Sequence, residues 1–113
     1  MSYDLSLTSK PCPTCGCVAV SWSSDPTWNL GDMFREAGFE PGSDSPLHGK
    51  PAKEVLPIAE AALAAMKAEP ERFKRHNPEN GWGSYDSLLT WYEDFIQVLR
   101  CDPEAVFRTR YGE

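Results

Sequence analysis

The stretch most informative about the fold of this chain is Asn77-Pro78-Glu79-Asn80-Gly81-Trp82-Gly83-Ser84-Tyr85, which joins two segments of helical periodicity. Two of its glycines flank a tryptophan, and a tyrosine follows closely. A solvated linker has no use for two large aromatic side chains, whereas a buried loop must satisfy its own backbone polar groups. We therefore expect this stretch to form either a fixed structural corner or the wall of a binding site.

Helical patterns lie on both sides of this corner. Apolar residues at helical spacing predict a helix from about 51 to 69 and one further turn over 70–75. Pro57 lies a turn and a half inside the first helix, so we expect either a later start or a kink there. After the corner, Ser84 is the expected N-cap of a helix that ends at Asp102-Pro103.

Three segments, 3–8, 18–23 and 105–111, alternate apolar and polar residues as half-buried strands do. The first two should form an antiparallel hairpin, in which Val18, Val20 and Trp22 face the core. A short helix and an irregular, mobile loop up to residue 50 should follow. The fold class is therefore α+β: one domain, 1–113, in which a small antiparallel sheet of hairpin plus C-terminal strand packs against about three helices.

The length, composition and net charge of the chain restrict the classes of function that it can have. The 113 residues, 41% of them hydrophobic, suffice for one domain with its own core. A formal net charge of -6 argues against a nucleic-acid partner, which needs clustered cations. No apolar run spans a membrane and the N-terminus lacks a signal-peptide pattern, so we expect a cytoplasmic protein without a membrane partner. The open edge of a three-stranded sheet predicts a homo-oligomer.

Cys12, Cys15 and Cys17 lie within six residues of each other at the predicted hairpin tip. Cys-Pro-Thr-Cys-Gly is typical of one half of a zinc knuckle, in which two thiolates share a tight turn. A closed site needs four ligands, and Cys101 or His48 is the candidate for the fourth. The alternative, slightly favoured, is a turn whose cysteines are small fillers that bind no metal. No cofactor is firmly expected, and zinc is the one candidate.

No catalytic motif is present: the sequence lacks a nucleophile elbow, a P-loop, a Rossmann glycine pattern and His-Glu-x-x-His. The acidic residues of the predicted helices fall where a solvated face places them. A protein that acts by binding, without catalysis, is therefore expected.

Loop aromatics beside amides suit a planar ligand, because the ring stacks while the amide forms directional hydrogen bonds. Arg108 and Arg110 share one face of the last strand, so their guanidinium groups can converge on one anion. The predicted ligand-binding set is Trp28, Asn29, Asn80, Trp82, Tyr85, Arg108 and Arg110. The alternatives are a rigid corner at the glycines and ordinary ion pairs at the arginines.

The chain resembles a group of small uncharacterised proteins of bacteriophages and prophages. The resemblance covers most of the chain and is carried by Trp28-Asn29-Leu30-Gly31-Asp32-Met33, Leu47-His48-Gly49-Lys50, Pro70-Glu71-Arg72-Phe73 and, most specifically, the Asn-Gly-Trp-Gly-x-Tyr motif at 80–85. The cysteine hairpin occurs in only some members of that group. The resemblance implies phage origin and a site of action in the host cytoplasm, and it implies no particular activity.

Together these observations predict a non-enzymatic, phage-type binding protein that counters host defence. Its partner would be a small nucleotide-like ligand, such as a nucleotide-derived immune signal that it sequesters, or a host protein that it blocks. The alternative is a zinc-stabilised module for protein–protein interaction.

Overall fold

The computed structural model describes residues 2–79, 81 and 83–112. Its three antiparallel strands, in the order β2-β1-β3, are β1 (Tyr3–Thr8), β2 (Val20–Ser24) and β3 (Val106–Tyr111). Its helices are α1 (Gly31–Glu36), which follows a 3₁₀ turn at Trp28–Leu30, α2 (Ala52–Ala68), α3 (Pro70–Lys74) and α4 (Tyr85–Cys101). The predicted α+β fold, with a hairpin and a C-terminal strand in one sheet, is confirmed.

The central strand, β1, buries Tyr3, Leu5 and Leu7 against the helices, as its alternation predicted. The expectation for β2 is confirmed only for Trp22, which packs against the core. Val20 is 61% exposed and Val18 40%, so their predicted burial is wrong.

The reason is an irregularity in the β1–β2 ladder. Leu7 is paired with Trp22 but the next residue, Thr8, is paired with Val20, so β2 holds one extra residue at this point. An extra residue reverses which face the following side chains occupy. Val20 consequently lies on the face of the sheet that points away from the helices.

The two long helices carry most of the core opposite the sheet. In α4, the Ser84 side chain accepts a hydrogen bond from the backbone N–H of Ser87, and the Ser87 side chain accepts one from Ser84, which confirms the predicted N-cap. Pro51 is the N-cap of α2 and not its first helical residue. Pro57 lies inside α2 without ending it, and its missing N–H removes the bond that would go to the carbonyl of residue 53.

The segment between α1 and α2, predicted to be a mobile loop, is tied to the sheet. It buries Phe39 fully, and Leu47 is 4% exposed. Its backbone also covers the outer edge of β3: Phe107 N–H donates to Lys50 O at 2.8 Å, and Gly49 N–H donates to Phe107 O at 2.7 Å. The edge of β3 is therefore closed by the chain itself.

The corner at 77–85 is held by specific hydrogen bonds in its described part. Asn77 Oδ1 accepts from the Tyr85 N–H at 2.7 Å, and the Tyr85 hydroxyl donates to Met66 O at 2.7 Å. Tyr85 is only 6% exposed. Gly83 lies against Leu30, so the corner rests on the 3₁₀ turn before α1. Asn80 and Trp82 lie outside the described residues.

Candidate functional site

The face of the sheet that points away from the helices contains a depression of about 720 Å³. Because side chains alternate along a strand, the even-numbered residues of β1 and β3 supply its floor. Those residues are Asp4, Ser6, Thr8, Arg108 and Arg110. The depression is therefore lined by cations, carboxylates and hydroxyl groups that the core does not use.

Arg108 is the distinctive group of this depression. Its Nε donates a hydrogen bond to Thr8 Oγ1 at 3.1 Å, and the Thr8 hydroxyl donates onward to Ser9 O at 2.9 Å. The Arg108 side chain is half-buried, yet within the described residues no carboxylate lies at ion-pair distance from it. A partly desolvated cation without an anion is costly, so Arg108 is a group that an external anion would satisfy.

His48 lies on the rim of the same depression. The backbone N–H of Thr109 donates to His48 Nδ1 at 3.1 Å. A ring nitrogen that accepts a hydrogen bond carries no proton, so the proton of the neutral imidazole is on Nε2. His48 Nε2 is consequently a hydrogen-bond donor on the same face as Arg108.

Arg110 has a partner, but a weak one. Its Nε lies 3.3 Å from Asp4 Oδ2, and the two side chains are 74% and 44% exposed. Exposed pairs of this kind contribute about 0–1 kcal/mol, so Arg110 can exchange Asp4 for another anion at little cost. The two arginines do share one face, as their spacing predicted.

A second depression, of about 690 Å³, lies at the end of the sheet near the corner. Trp28 and Asn29 line it, with Tyr111 opposite Trp28 at 5.8 Å between ring centroids, edge to face. The Trp28 indole N–H donates to Ser2 O at 2.7 Å, so this ring is fixed in place. Arg35 contributes a cation, but it is already bonded to carboxylates on either side of it in sequence.

The predicted ligand-binding residues thus fall into separate places. Trp28 and Asn29 line the depression near the corner, whereas Arg108 and Arg110 line the open face of the sheet. Arg108 and Arg110 point away from the helices because side chains alternate along β3, whereas Trp28 and Asn29 lie on the 3₁₀ turn before α1. Tyr85 is buried with its hydroxyl bonded to Met66 O, and lines neither depression. The positions of Asn80 and Trp82 lie outside the described residues.

His48 and Tyr111 line these depressions and are among the lining residues that were not in the predicted ligand-binding set. His48 lies in an irregular segment, and only the contact of its backbone neighbours with β3 brings it to the open face. Tyr111 alternates with Phe107 and Thr109, which are buried, but it lies at the end of β3 and is 42% exposed. Neither position has a local sequence signal, since both depend on contacts between distant segments.

The cysteine turn forms the tip of the β1–β2 hairpin, and Cys12, Cys15 and Cys17 are all exposed. Cys12 N–H donates to Cys17 O at 2.9 Å, and Gly16 N–H donates to Cys12 O at 2.8 Å. The backbone N–H groups of Cys15 and Thr14 donate to the Cys12 sulfur and lower the pKa of this thiol. A hydrogen bond with Cys15 raises the pKa of Cys17.

Within the described residues, no group of three or more His, Cys, Asp or Glu side chains is arranged to hold a metal ion. Zinc binding by Cys12, Cys15 and Cys17 stays a prediction, and the spacing of Cys15-Gly16-Cys17 is tight for one tetrahedral ion. His48, one candidate for the fourth ligand, is bonded to the backbone of β3. Cys101 is at the end of α4 and is exposed.

A separate charged cluster joins α1 to α3. The Glu36 carboxylate accepts hydrogen bonds from His76 at 3.3 Å and from Arg72 at 3.1 Å, and it also pairs with Arg75. These contacts lower the pKa of Glu36 to about 2. The hydrogen bond with His76 has the largest effect, followed by those with Arg75 and Arg72. All four residues satisfy one another, which indicates a structural role for the cluster.

Replacing Glu36 with Gln is expected to lower the thermal unfolding midpoint at neutral pH, and by less as the pH falls. The folded-state pKa of Glu36, about 2, is below its ordinary value of 4.5, so its stabilising effect is fully present above that value. The effect is lost as the pH falls from about 4.5 to about 2. Thermal melting curves across this pH range measure the effect. Glu60→Gln is the control, because it removes the exposed ion pair between Glu60 and Arg100. If the difference in melting temperature between Glu36→Gln and the unchanged protein stays constant down to about pH 2, Glu36 is not stabilised by this cluster.

No protein-family model matches the chain, and comparisons with curated proteins and with solved structures gave no significant match. In the described part of the chain, no helix has the length and apolar character needed to cross a membrane. The function therefore has to be inferred from the geometry of the sheet face and its neighbours.

Proposed function

We propose that this protein is a binding protein, without catalysis, that takes a small anionic ligand of nucleotide-like type on the open face of its sheet. The observation that carries the proposal is Arg108, a half-buried cation that lines the depression and has no carboxylate partner among the described residues. Arginine presents several N–H donors in a planar fork that fits phosphate and carboxylate oxygens. Thr8 already fixes one edge of this fork, so less conformational freedom is lost when an anion binds.

The groups around Arg108 support a phosphate-bearing ligand in particular. His48 Nε2 supplies a neutral donor at the rim, and Arg110 supplies a second cation that is only weakly held by Asp4. A phosphate group accepts hydrogen bonds at three oxygens, which matches donors that approach from more than one side. Binding would therefore replace the weak Arg110–Asp4 pair by stronger bonds to the ligand.

The rest of the lining suits the uncharged part of such a ligand. Val18 and Val20, both exposed, give the depression an apolar wall. Ser6, Ser23 and Asp25 add hydroxyl and carboxylate groups, which accept hydrogen bonds from sugar hydroxyls. The carboxylates also disfavour a long polyanion, in keeping with the net charge of -6. A single small anion with apolar and hydroxyl parts fits better than a nucleic-acid strand.

Sequestration is the role that fits binding without catalysis, because it needs affinity and no reacting group. The resemblance to phage proteins supports nucleotide-derived immune signals of the host as the class to test first. A host protein as the blocked partner has no specific contact in its favour on this face. The small-molecule version is therefore the one that we propose.

Isothermal titration calorimetry with inorganic phosphate, AMP, ADP-ribose and a cyclic dinucleotide tests this proposal. We expect at least one nucleotide to bind, and Arg108→Gln to weaken its binding by about tenfold to a hundredfold, since a hydrogen bond to a charged group contributes about 1.5–3 kcal/mol. Arg100→Gln is the matched control, because Arg100 pairs with Glu60 on the helical side of the molecule. Equal losses in both variants, or no binding by any compound, would overturn the proposal.

A further inference from the structure

The tip of the β1–β2 hairpin presents two thiols in the arrangement of a half zinc site. Cys12 and Cys15 are exposed, and only Pro13 and Thr14 separate them within one tight turn. Two sulfurs of a tetrahedral zinc site are about 3.8 Å apart, given a Zn–S distance of about 2.3 Å. The turn between them is closed by the bond from Gly16 N–H to Cys12 O, and Gly16 has a φ of 72°, which favours glycine.

One chain supplies too few ligands to close such a site. Structural zinc sites hold four protein ligands in a tetrahedron, and the described residues offer no third side chain arranged with Cys12 and Cys15. A two-fold axis through the metal would bring the same two thiols from another copy, since a symmetric contact uses the same surface patch twice. We propose that Cys12 and Cys15 of two copies of this chain bind one zinc ion between them and form a zinc-bridged homodimer.

The hairpin is built so that two tips can meet. Every residue from 9 to 21 is exposed, so this arm stands clear of the core of an elongated molecule that measures 49 × 28 × 20 Å. The segment 9–21 contains no acidic residue, and its only charged residue is Lys10. Four thiolates around Zn²⁺ leave two negative charges, which the two copies of Lys10 would balance. The thiol protons pass to solvent when the metal binds, so the reaction needs no oxidant or reductant.

Zinc content and molecular mass of the full chain, purified in reductant, test this proposal together. With zinc added and the excess removed, elemental analysis should give one zinc ion per two chains, and light scattering should give a dimer that EDTA converts to a monomer. Cys12→Ser and Cys15→Ser should each abolish both zinc binding and dimerisation. Cys17→Ser and Cys101→Ser are the matched controls and should retain both. Because these side chains are exposed, circular dichroism should show a folded chain in every variant.

Each other outcome overturns the proposal. One zinc ion per monomer would indicate a site closed within one chain. A dimer that resists EDTA but separates in reductant would indicate a disulfide. A chain without zinc at micromolar metal, or a zinc-bound dimer that survives the loss of Cys12 or Cys15, would leave the turn with a purely structural role.

Discussion

Replacement of Phe39 with alanine is expected to destabilise the protein by about 3–5 kcal/mol, the range for a large aromatic side chain removed from a packed core. Phe39 is fully buried in the segment between α1 and α2, which has no regular secondary structure around it. Its ring centroid lies 5.7–6.3 Å from those of Phe34, Trp91, Tyr92, Phe95 and Phe107. One loop residue thus contacts rings from α1, α4 and β3.

The loss should be large because the contacts come from three separate elements that cannot all move into the cavity. Equilibrium urea unfolding followed by tryptophan fluorescence measures it, and the slope against urea shows whether the transition stays two-state. Val20→Ala is the control: Val20 is 61% exposed, so we expect a change within about 0.5 kcal/mol. A cost for Phe39→Ala below about 1 kcal/mol would mean that this segment does not pack as described.

Phe39 also shows where the sequence stops being informative. Strands and helices could be predicted because their apolar residues repeat with a period of two or 3.6, and each period indicates one buried face. Phe39 and Leu47 follow no period, so nothing local distinguishes them from exposed loop residues. Their burial depends on β3, which is more than sixty residues away from Phe39 in the chain. The irregular course of this segment was predicted correctly, but its packing against the core was not predicted.

The β1–β2 hairpin illustrates a second kind of error. Alternation placed Val20 on the same face as Trp22, and in an uninterrupted ladder it would have been there. The extra residue of β2, Ser21 between Val20 and Trp22, reverses the face, and no residue type at this point signals it. This difference affects the site that we propose, since the displaced Val20 lines the same depression as Arg108.

The candidate site could be predicted only in part, for the same reason. The shared face of Arg108 and Arg110 follows from the alternation along one strand, so local reasoning sufficed. Whether Trp28 and Asn29 face those arginines depends on which side of the sheet each loop crosses, and one sequence does not determine that. Ligand binding by Trp28, Asn29, Asn80, Trp82 and Tyr85 stays a prediction, separate from the face that we propose.

Gly83→Ala is expected to destabilise the protein by about 2–5 kcal/mol, since two costs add. Gly83 has a φ of 92°, a conformation that costs an L-residue about 1–2 kcal/mol. A Cβ there would also lie 2.9 Å from Leu30 side-chain carbons and 3.0 Å from Thr27 Cγ2. Overpacking of this kind adds about 1–3 kcal/mol unless the neighbours shift.

Gly81 separates the two costs, because it has a φ of 75° but no described atom within 4 Å of the place that a Cβ would occupy. Gly81→Ala should therefore show only the backbone cost of about 1–2 kcal/mol, and the difference between the two variants measures the contacts with Leu30 and Thr27. Leu30→Ala in the Gly83→Ala background should recover the part of that difference that is due to Leu30, as a double-mutant cycle in urea would show. Equal effects at Gly81 and Gly83 would mean that the corner does not rest on the 3₁₀ turn, and the aromatic depression that both segments border would lose its support.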